Sequence, residues 1–219
     1  MPHYRWEQVP LEEHVVLRSA GYRLHEEFDG EFGHDTISKL LHATYVDLQR
    51  RAKVEAWIPL FAERYTREQL WAYSRGHGSE RDPRPHVLFL CTHNAGRSLA
   101  AMGFFRALAG DDAVCWSAGS HPADALNANM VEAMHEIGID LMTEFPKDWT
   151  PAIVDAADVI VSMDCAEVPH ASSARVLEWE IEDPVDLDLA GARRVRDAVR
   201  TQVEGLIAEL GLESTTALR

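Results

Sequence analysis

The chain has 219 residues, 46% of them hydrophobic and 26% charged, and a formal net charge of -15. These values fit one large or two small globular domains with a sizeable core, and they exclude a disorder-dominated chain. No apolar run approaches the length of a membrane span, and Met1 to Pro10 is polar without a signal-peptide core, so a cytoplasmic protein without a membrane partner is expected. Residues 1–82 carry 11 Lys and Arg against 14 Asp and Glu, and the remainder carries 10 against 22. So acidic a C-terminal part repels phosphate backbones, which argues against nucleic acid as a partner. Any anion site there must work through short-range donors. The three cysteines, Cys91, Cys115 and Cys165, form no C-x-x-C pair and no zinc-spaced cluster with histidine, so neither a disulfide framework nor a metal site is expected.

In chain order, Leu11 to Phe28 reads as a first helix. Asp35 or Thr36 would cap a second, with Ile37, Leu40, Leu41, Thr44 and Leu48 on one stripe. A third starts at Ile58, Phe61, Ala62 and Tyr65, with Pro59 in its first turn and Leu70 and Tyr73 extending it. Thr66 with Gln69 has the form of a capping box and suggests a break into two short helices. Residues 1–76 therefore read as a three-helix bundle with a leftover apolar face that can pair two copies across a two-fold axis. The basic run Arg50-Arg51-Ala52-Lys53 is the only support for a DNA-reading helix-turn-helix there, and the net charge of this part opposes it. The Gly-, Pro- and charge-rich stretch ending at Pro85 reads as a linker, 77–85.

Beyond it, residues 86–219 alternate strands and helices. His86-Val87-Leu88-Phe89-Leu90 is a continuous apolar run, as expected of a buried parallel strand. A helix follows from Arg97 to about Leu108, then a strand at Ala113–Trp116, a helix at Asn127–Ile137, strands at Val159–Ser162 and Ala174–Trp179, and a long helix at Leu189–Leu210. The expected fold is α/β, a doubly wound parallel sheet of four strands.

Cys91 stands directly after the first strand, and Cys91-Thr92-His93-Asn94-Ala95-Gly96-Arg97-Ser98 leads into the next helix. Ligands of open α/β sheets bind at the carboxyl ends of strands beside helix N-termini. The small residues Ala95 and Gly96 let successive backbone N–H groups converge into an anion nest, reinforced by the helix dipole. The same donors favour the thiolate of Cys91, the reactive form. Arg97 offers a planar fork for two oxygens of a tetrahedral oxyanion, the Ser98 hydroxyl can donate to the sulfur, and Asn94 tolerates a left-handed backbone and can brace the loop. His93 borders either the entrance or the solvent. An oxyanion transfer also needs a proton donor, for which Asp183 before Pro184 is the candidate, with Glu182 and Asp186 as competitors. Cys165 follows the third strand. If that strand neighbours the first, Cys165 would approach Cys91 and resolve it as a disulfide. Cys115 falls inside a strand and reads as core.

The run Val87 to Ser98 closely resembles the start of bacterial arsenate reductases built on the low-molecular-weight tyrosine phosphatase fold. The resemblance continues at Ser117-Ala118-Gly119-Ser120, Val131-Glu132-Ala133-Met134, Gly138-Ile139-Asp140-Leu141, Pro146-Lys147, Ala157-Asp158-Val159-Ile160 and Asp183-Pro184. The Cys-x5-Arg-Ser loop is shared with phosphatases, whereas its His-Asn-Ala-Gly form looks more like the reductases of actinobacteria that use mycothiol or thioredoxin. The resemblance implies Cys91 as nucleophile, Arg97 as oxyanion clamp, Asn94 and Ser98 as its supports, and Asp183 as general acid. It further implies arsenate as substrate, no bound cofactor, and either mycothiol with mycoredoxin or thioredoxin as the external reductant. The N-terminal helices resemble a module associated with dimerisation. Two departures matter: Leu99-Ala100 follow Ser98 where the family often has Gln-Met, and no second cysteine follows Ser162-Met163-Asp164-Cys165. The latter leaves a Cys91–Cys165 pair or an external thiol, and points to the external thiol. Val185-Asp186-Leu187 after Pro184 lacks the aromatic residue that receives a phosphotyrosine ring. That ranks a tyrosine phosphatase second, with a non-enzymatic arsenic or redox sensor third.

Overall fold

Apolar residues at helical spacing build the N-terminal half. Leu17, Ala20 and Leu24 form the buried face of α1 (Leu11–Glu27). Ile37, Leu41, Tyr45 and Leu48 do so for α2 (His34–Arg51), and Ile58, Ala62, Tyr65 and Leu70 for α3 (Ile58–His77). The three helices pack on one another. The computed structural model describes residues 9–51, 57–77, 82–170 and 173–214, and the chain divides into two compact units, Met1–Arg81 and Asp82–Arg219. Ala52 and Lys53 of the basic run, and residues 78–81 of the expected linker, lie outside the described residues.

Two helix boundaries differ from the sequence reading. Asp35 sits inside the first turn of α2, where it pairs with Lys39, and the Gly33 carbonyl accepts the N–H groups of Thr36 and Ile37. No break falls at Thr66–Gln69. The Gln69 amide reaches across to the Thr44 hydroxyl at 3.1 Å and to the Tyr65 carbonyl at 3.3 Å, so α3 runs through. In the uninterrupted helix the buried face passes through Ala72, and Tyr73 turns outward at 37% exposure.

A charged network ties α1 to α3. Arg23 donates to both carboxylate oxygens of Glu63, at 3.0 and 2.5 Å, and Arg67 bridges Glu63 at 3.1 Å and Glu27 at 2.7 Å. Burial opposes ionisation of Glu63, but Arg23 and Arg67 outweigh it and hold the carboxyl below its ordinary range. A carboxyl with a depressed folded-state pKa contributes stability above its unfolded value, and that contribution is lost as pH falls through the folded value. Glu63→Gln is therefore expected to destabilise the protein by about 1–2 kcal/mol at neutral pH. Thermal melts of both proteins across pH should converge in acid. A gap that persists at low pH would assign the effect to packing.

In the second unit the central sheet has the order β2-β1-β3-β4, all parallel. Its strands are β1 (His86–Cys91), β2 (Val114–Gly119), β3 (Val159–Met163) and β4 (Arg175–Glu178). Buried on both faces, β1 and β3 are continuously apolar, apart from His86 and Ser162. β2 runs three residues beyond the expected Trp116, to Gly119. Four helices cover the sheet: α4 (Arg97–Ala109), α5 (Ala128–His135), α6 (Pro151–Ala156) and α7 (Leu189–Glu209). Side-chain oxygens of Asn127, Thr150 and Asp188 cap α5, α6 and α7. Asp82 to Pro85, read from sequence as the end of the linker, belongs to this unit. Arg84 holds Asp82 at 2.7 Å, and the Pro85 carbonyl accepts the Val114 N–H at 3.0 Å. Among the described residues no helix is long and apolar enough to cross a membrane.

Candidate active site

β1 ends at the centre of the sheet, and β2 and β3 flank it, with Cys91 in register with Gly119 and Met163. The loop Thr92–Gly96 then carries the chain into α4. The carbonyls of Thr92, His93 and Ala95 accept the N–H groups of His121, Ala123 and Asn127 at 2.8, 2.9 and 2.9 Å. In a planar trans peptide the carbonyl and the following N–H point in opposite directions. The N–H groups of His93, Asn94 and Gly96 are therefore turned inward. That of Asn94 lies 3.2 Å from the Cys91 sulfur. Gly96 precedes α4 without a side-chain cap, so the first turn of the helix leaves donors for an anion.

Asn94 and Ser98, both fully buried, support the sulfur from behind. The Asn94 backbone is left-handed, at φ 45. Its amide nitrogen donates to the Ser98 hydroxyl at 2.8 Å, which directs the Ser98 proton to the Cys91 sulfur at 3.1 Å. Its amide oxygen accepts the Lys147 N–H at 2.9 Å, and the Lys147 carbonyl accepts the Gly119 N–H at 2.9 Å. Beneath this brace Lys147 and Glu144 are buried together, 3.7 Å apart, with Arg106 of α4 on Glu144 at 2.9 Å.

Arg97 is 2% exposed. Its guanidinium donates to Asp183 at 2.5 Å and to the Ile181 carbonyl at 3.1 Å. Asp183 also accepts the Val185 N–H at 3.0 Å. Two asparagines near the start of α5 pin this loop: Asn127 donates to the Pro184 carbonyl at 3.0 Å and Asn129 to the Leu187 carbonyl at 2.9 Å. The resulting cavity, about 260 Å³, is lined by Cys91, His93, Ala95, Gly96 and Arg97 on one side, and by Ala123, Leu126, Asp183, Pro184 and Val185 among others. Asp183 lines it, and its sequence competitors Glu182 and Asp186 do not. Thr92 turns away and donates to the Asp164 carbonyl at 2.8 Å.

Cys165 follows β3 past Asp164, whose φ of 51 turns the chain back toward the loop. Its sulfur faces the Cys91 carbonyl at 3.5 Å and the Glu167 carbonyl at 2.9 Å. Burial pushes the Cys165 thiol above the ordinary cysteine range. Hydrogen bonds from Ser120 and Glu167 offset part of this, and the nearby Cys91 sulfur adds to it. Cys115 lies four positions down β2 from Gly119, among core side chains.

Sequence reasoning missed Lys147, Asn127, Asn129 and Asp164 as parts of the site. Only Asn127 carried a local signal, as the residue opening a predicted helix.

Residues 86–216 match the low molecular weight phosphotyrosine protein phosphatase family, and residues 17–74 match a protein-tyrosine-phosphatase-like N-terminal domain. The chain belongs to the low molecular weight phosphotyrosine protein phosphatase family. Within that family it is similar to an arsenate reductase of Halalkalibacterium halodurans, 33% identical over 135 residues that make up 57% of this chain and 96% of the relative. An arsenate reductase of Staphylococcus epidermidis is 29% identical over 124 residues, 54% of this chain and 92% of that protein. The structure of a thioredoxin-dependent arsenate reductase of Corynebacterium glutamicum superposes with a TM-score of 0.78 at 29% identity, across 90% of this chain and 97% of that one. That last match takes in the helical unit as well as the phosphatase-like one.

Proposed function

We propose that this member of the phosphatase family is an enzyme that reduces arsenate to arsenite, with Cys91 as nucleophile and Cys165 as the second thiol. The observation that carries this reading is the Cys165 sulfur 3.5 Å from the Cys91 carbonyl, beside the anion cradle. A phosphatase needs no second thiol there. Among the described residues that line the cavity none is Phe, Tyr or Trp, which would receive a phosphotyrosine ring. The similarity to named arsenate reductases supports the same substrate.

Arsenate sits on the inward N–H groups with the fork of Arg97 on two of its oxygens. The Cys91 thiolate bonds to arsenic, and one arsenate hydroxyl leaves as water with a proton from Asp183. The Cys165 thiolate then attacks the Cys91 sulfur. A disulfide forms, the sulfur–arsenic bond breaks, and its electron pair stays on arsenic, which falls from the +5 to the +3 state and departs as arsenite. A dithiol protein of thioredoxin type supplies the two electrons that return the disulfide to thiols. The Corynebacterium glutamicum neighbour and the position of Cys165 favour this route over mycothiol with mycoredoxin, against the balance drawn from the missing third cysteine. The helical unit is proposed to pair two copies, with Leu11, Val15 and Tyr22 exposed along α1.

Arsenate-dependent NADPH consumption tests this, run with a thioredoxin system and in parallel with mycothiol and mycoredoxin. Thioredoxin-coupled turnover should vanish in Cys165→Ser. Because Cys165 is held as the neutral thiol, the coupled rate should rise with pH into the alkaline range. Turnover that survives in Cys165→Ser with mycothiol alone would replace the second thiol by an external one. Phosphotyrosine-peptide hydrolysis at the rate of a working phosphatase would reverse the ranking, and stoichiometric labelling of Cys91 without turnover would favour a sensor.

A further inference from the structure

Asp164 touches three parts of the site, and the mechanism above uses none of these contacts. Its carboxylate lies 3.9 Å from the Arg97 guanidinium while its side chain is 89% exposed. Its carbonyl accepts the Thr92 hydroxyl at 2.8 Å, which fastens it to the oxyanion loop. Its peptide bond leads directly to Cys165. The backbone stands at φ 51, which glycine adopts freely and an aspartate adopts only at a cost. Arg97 is shared between Asp183, the Ile181 carbonyl and Asp164.

We propose that Asp164 is a positioning residue that couples occupancy of the oxyanion cradle to the placement of Cys165. The proposal rests on the role of Cys165 given above. The Asp164 carboxylate competes with a bound oxyanion for Arg97. An oxyanion that takes over the guanidinium removes the partner that steadies a strained turn, and the segment bearing Cys165 is released toward the Cys91 sulfur. The second thiol thus becomes free to attack once the first has a substrate to pass on.

The charge effect has a definite sign. Neutralising Asp164 leaves Arg97 one fewer counter-charge and removes a negative group beside an anion site, and both strengthen oxyanion binding. For a largely exposed carboxylate at 3.9 Å, the expected gain is roughly three- to fivefold in dissociation constant. Asn tolerates the left-handed backbone, so Asp164→Asn removes the charge and keeps the turn. Asp164→Gly, which keeps the turn without any side chain, is a second charge-free variant.

The test uses full-length protein in a Cys91→Ser background, with inorganic phosphate as a non-reducible probe. Calorimetry gives the phosphate affinity, and peptide-resolved alkylation by iodoacetamide gives the exposure of Cys165. Both Asp164 variants should bind phosphate roughly three- to fivefold more tightly. Phosphate should accelerate alkylation of Cys165 when Asp164 is present and give no acceleration in either variant, which keeps the turn but has no carboxylate for phosphate to displace from Arg97. The charge of phosphate alone would slow alkylation by disfavouring the thiolate, so acceleration reports movement. Unchanged affinity, or the same phosphate response with and without Asp164, overturns the proposal. Neither readout requires arsenate reduction. Absence of arsenate turnover in the wild-type protein, with these results standing, would sink the reductase reading alone.

Discussion

Cys91→Ser protein is expected to bind arsenate and reduce none of it. The substitution keeps a small polar side chain in a site that is 2% exposed. The Asn94 N–H and the Ser98 hydroxyl, which hold the sulfur at 3.2 and 3.1 Å, would still find a partner there. The fold should therefore lose no more than about 1 kcal/mol. The chemistry has no substitute. A serine hydroxyl is not ionised at neutral pH, and an oxygen–arsenic bond offers no sulfur on which a second thiol can close a disulfide. Removing a nucleophile of this kind costs on the order of 10⁴-fold or more in turnover. Coupled turnover and calorimetric arsenate affinity, measured on one preparation, check both halves. Residual turnover within tenfold of wild type would move the nucleophile to Cys165, since Cys115 lies in the core far down β2.

The proposed nucleophile stood out in the sequence because its signal is local. A buried apolar strand, a cysteine, a short loop of small residues and an Arg-Ser opening a helix follow one another without a gap. The structure places Cys91, Arg97 and Asp183 around one cavity. Asp183 could not be told from Glu182 or Asp186 until the loop had a shape, because two asparagines 54 or more positions away set that shape. The same reason hid Lys147: it braces Asn94 through its main-chain N–H, and a main-chain donor carries no side-chain signature. Asp164 was hidden in another way, because an aspartate carries no strong sequence signal for the left-handed turn it adopts. In the helical unit, Thr66 and Gln69 show the reverse error. A capping pattern was present, but a partner on α2 claimed the glutamine and the helix ran on. β2 was read three residues short because the small residues Ser117-Ala118-Gly119 carry no apolar strand pattern. Gly119 has no room for a side chain because the loop of Thr92 and Asn94 lies against that end of the strand.

That contact makes Gly119→Ala the most damaging single methyl expected in the second unit. A Cβ at Gly119 would stand 2.7 Å from the Thr92 carbonyl oxygen, 2.8 Å from the Asn94 nitrogen and 3.0 Å from the Asn94 Cβ. Two of these atoms are backbone, and none is the far end of a flexible side chain. Asn94 cannot retreat easily, since its amide is held by Ser98 on one side and Lys147 on the other. Relief must come from moving the loop, which draws the Asn94 N–H away from the Cys91 sulfur. The expected destabilisation is about 2–3 kcal/mol. A loop displaced by even about 1 Å is expected to lower turnover on the order of 10²-fold. Gly96→Ala should be milder, because its added methyl meets side-chain atoms of Pro184, Met130 and Asn127 at 3.0, 3.3 and 3.9 Å and no backbone atom. Gly205→Ala, in α7 with nothing within 4 Å, should have the opposite sign and stabilise by about 0.5–1 kcal/mol. Melting temperatures, phosphate affinity and coupled turnover of the three variants separate these cases. Native turnover in Gly119→Ala would mean that the loop can shift without disturbing the sulfur, and that the cradle is not held by close approach to β2.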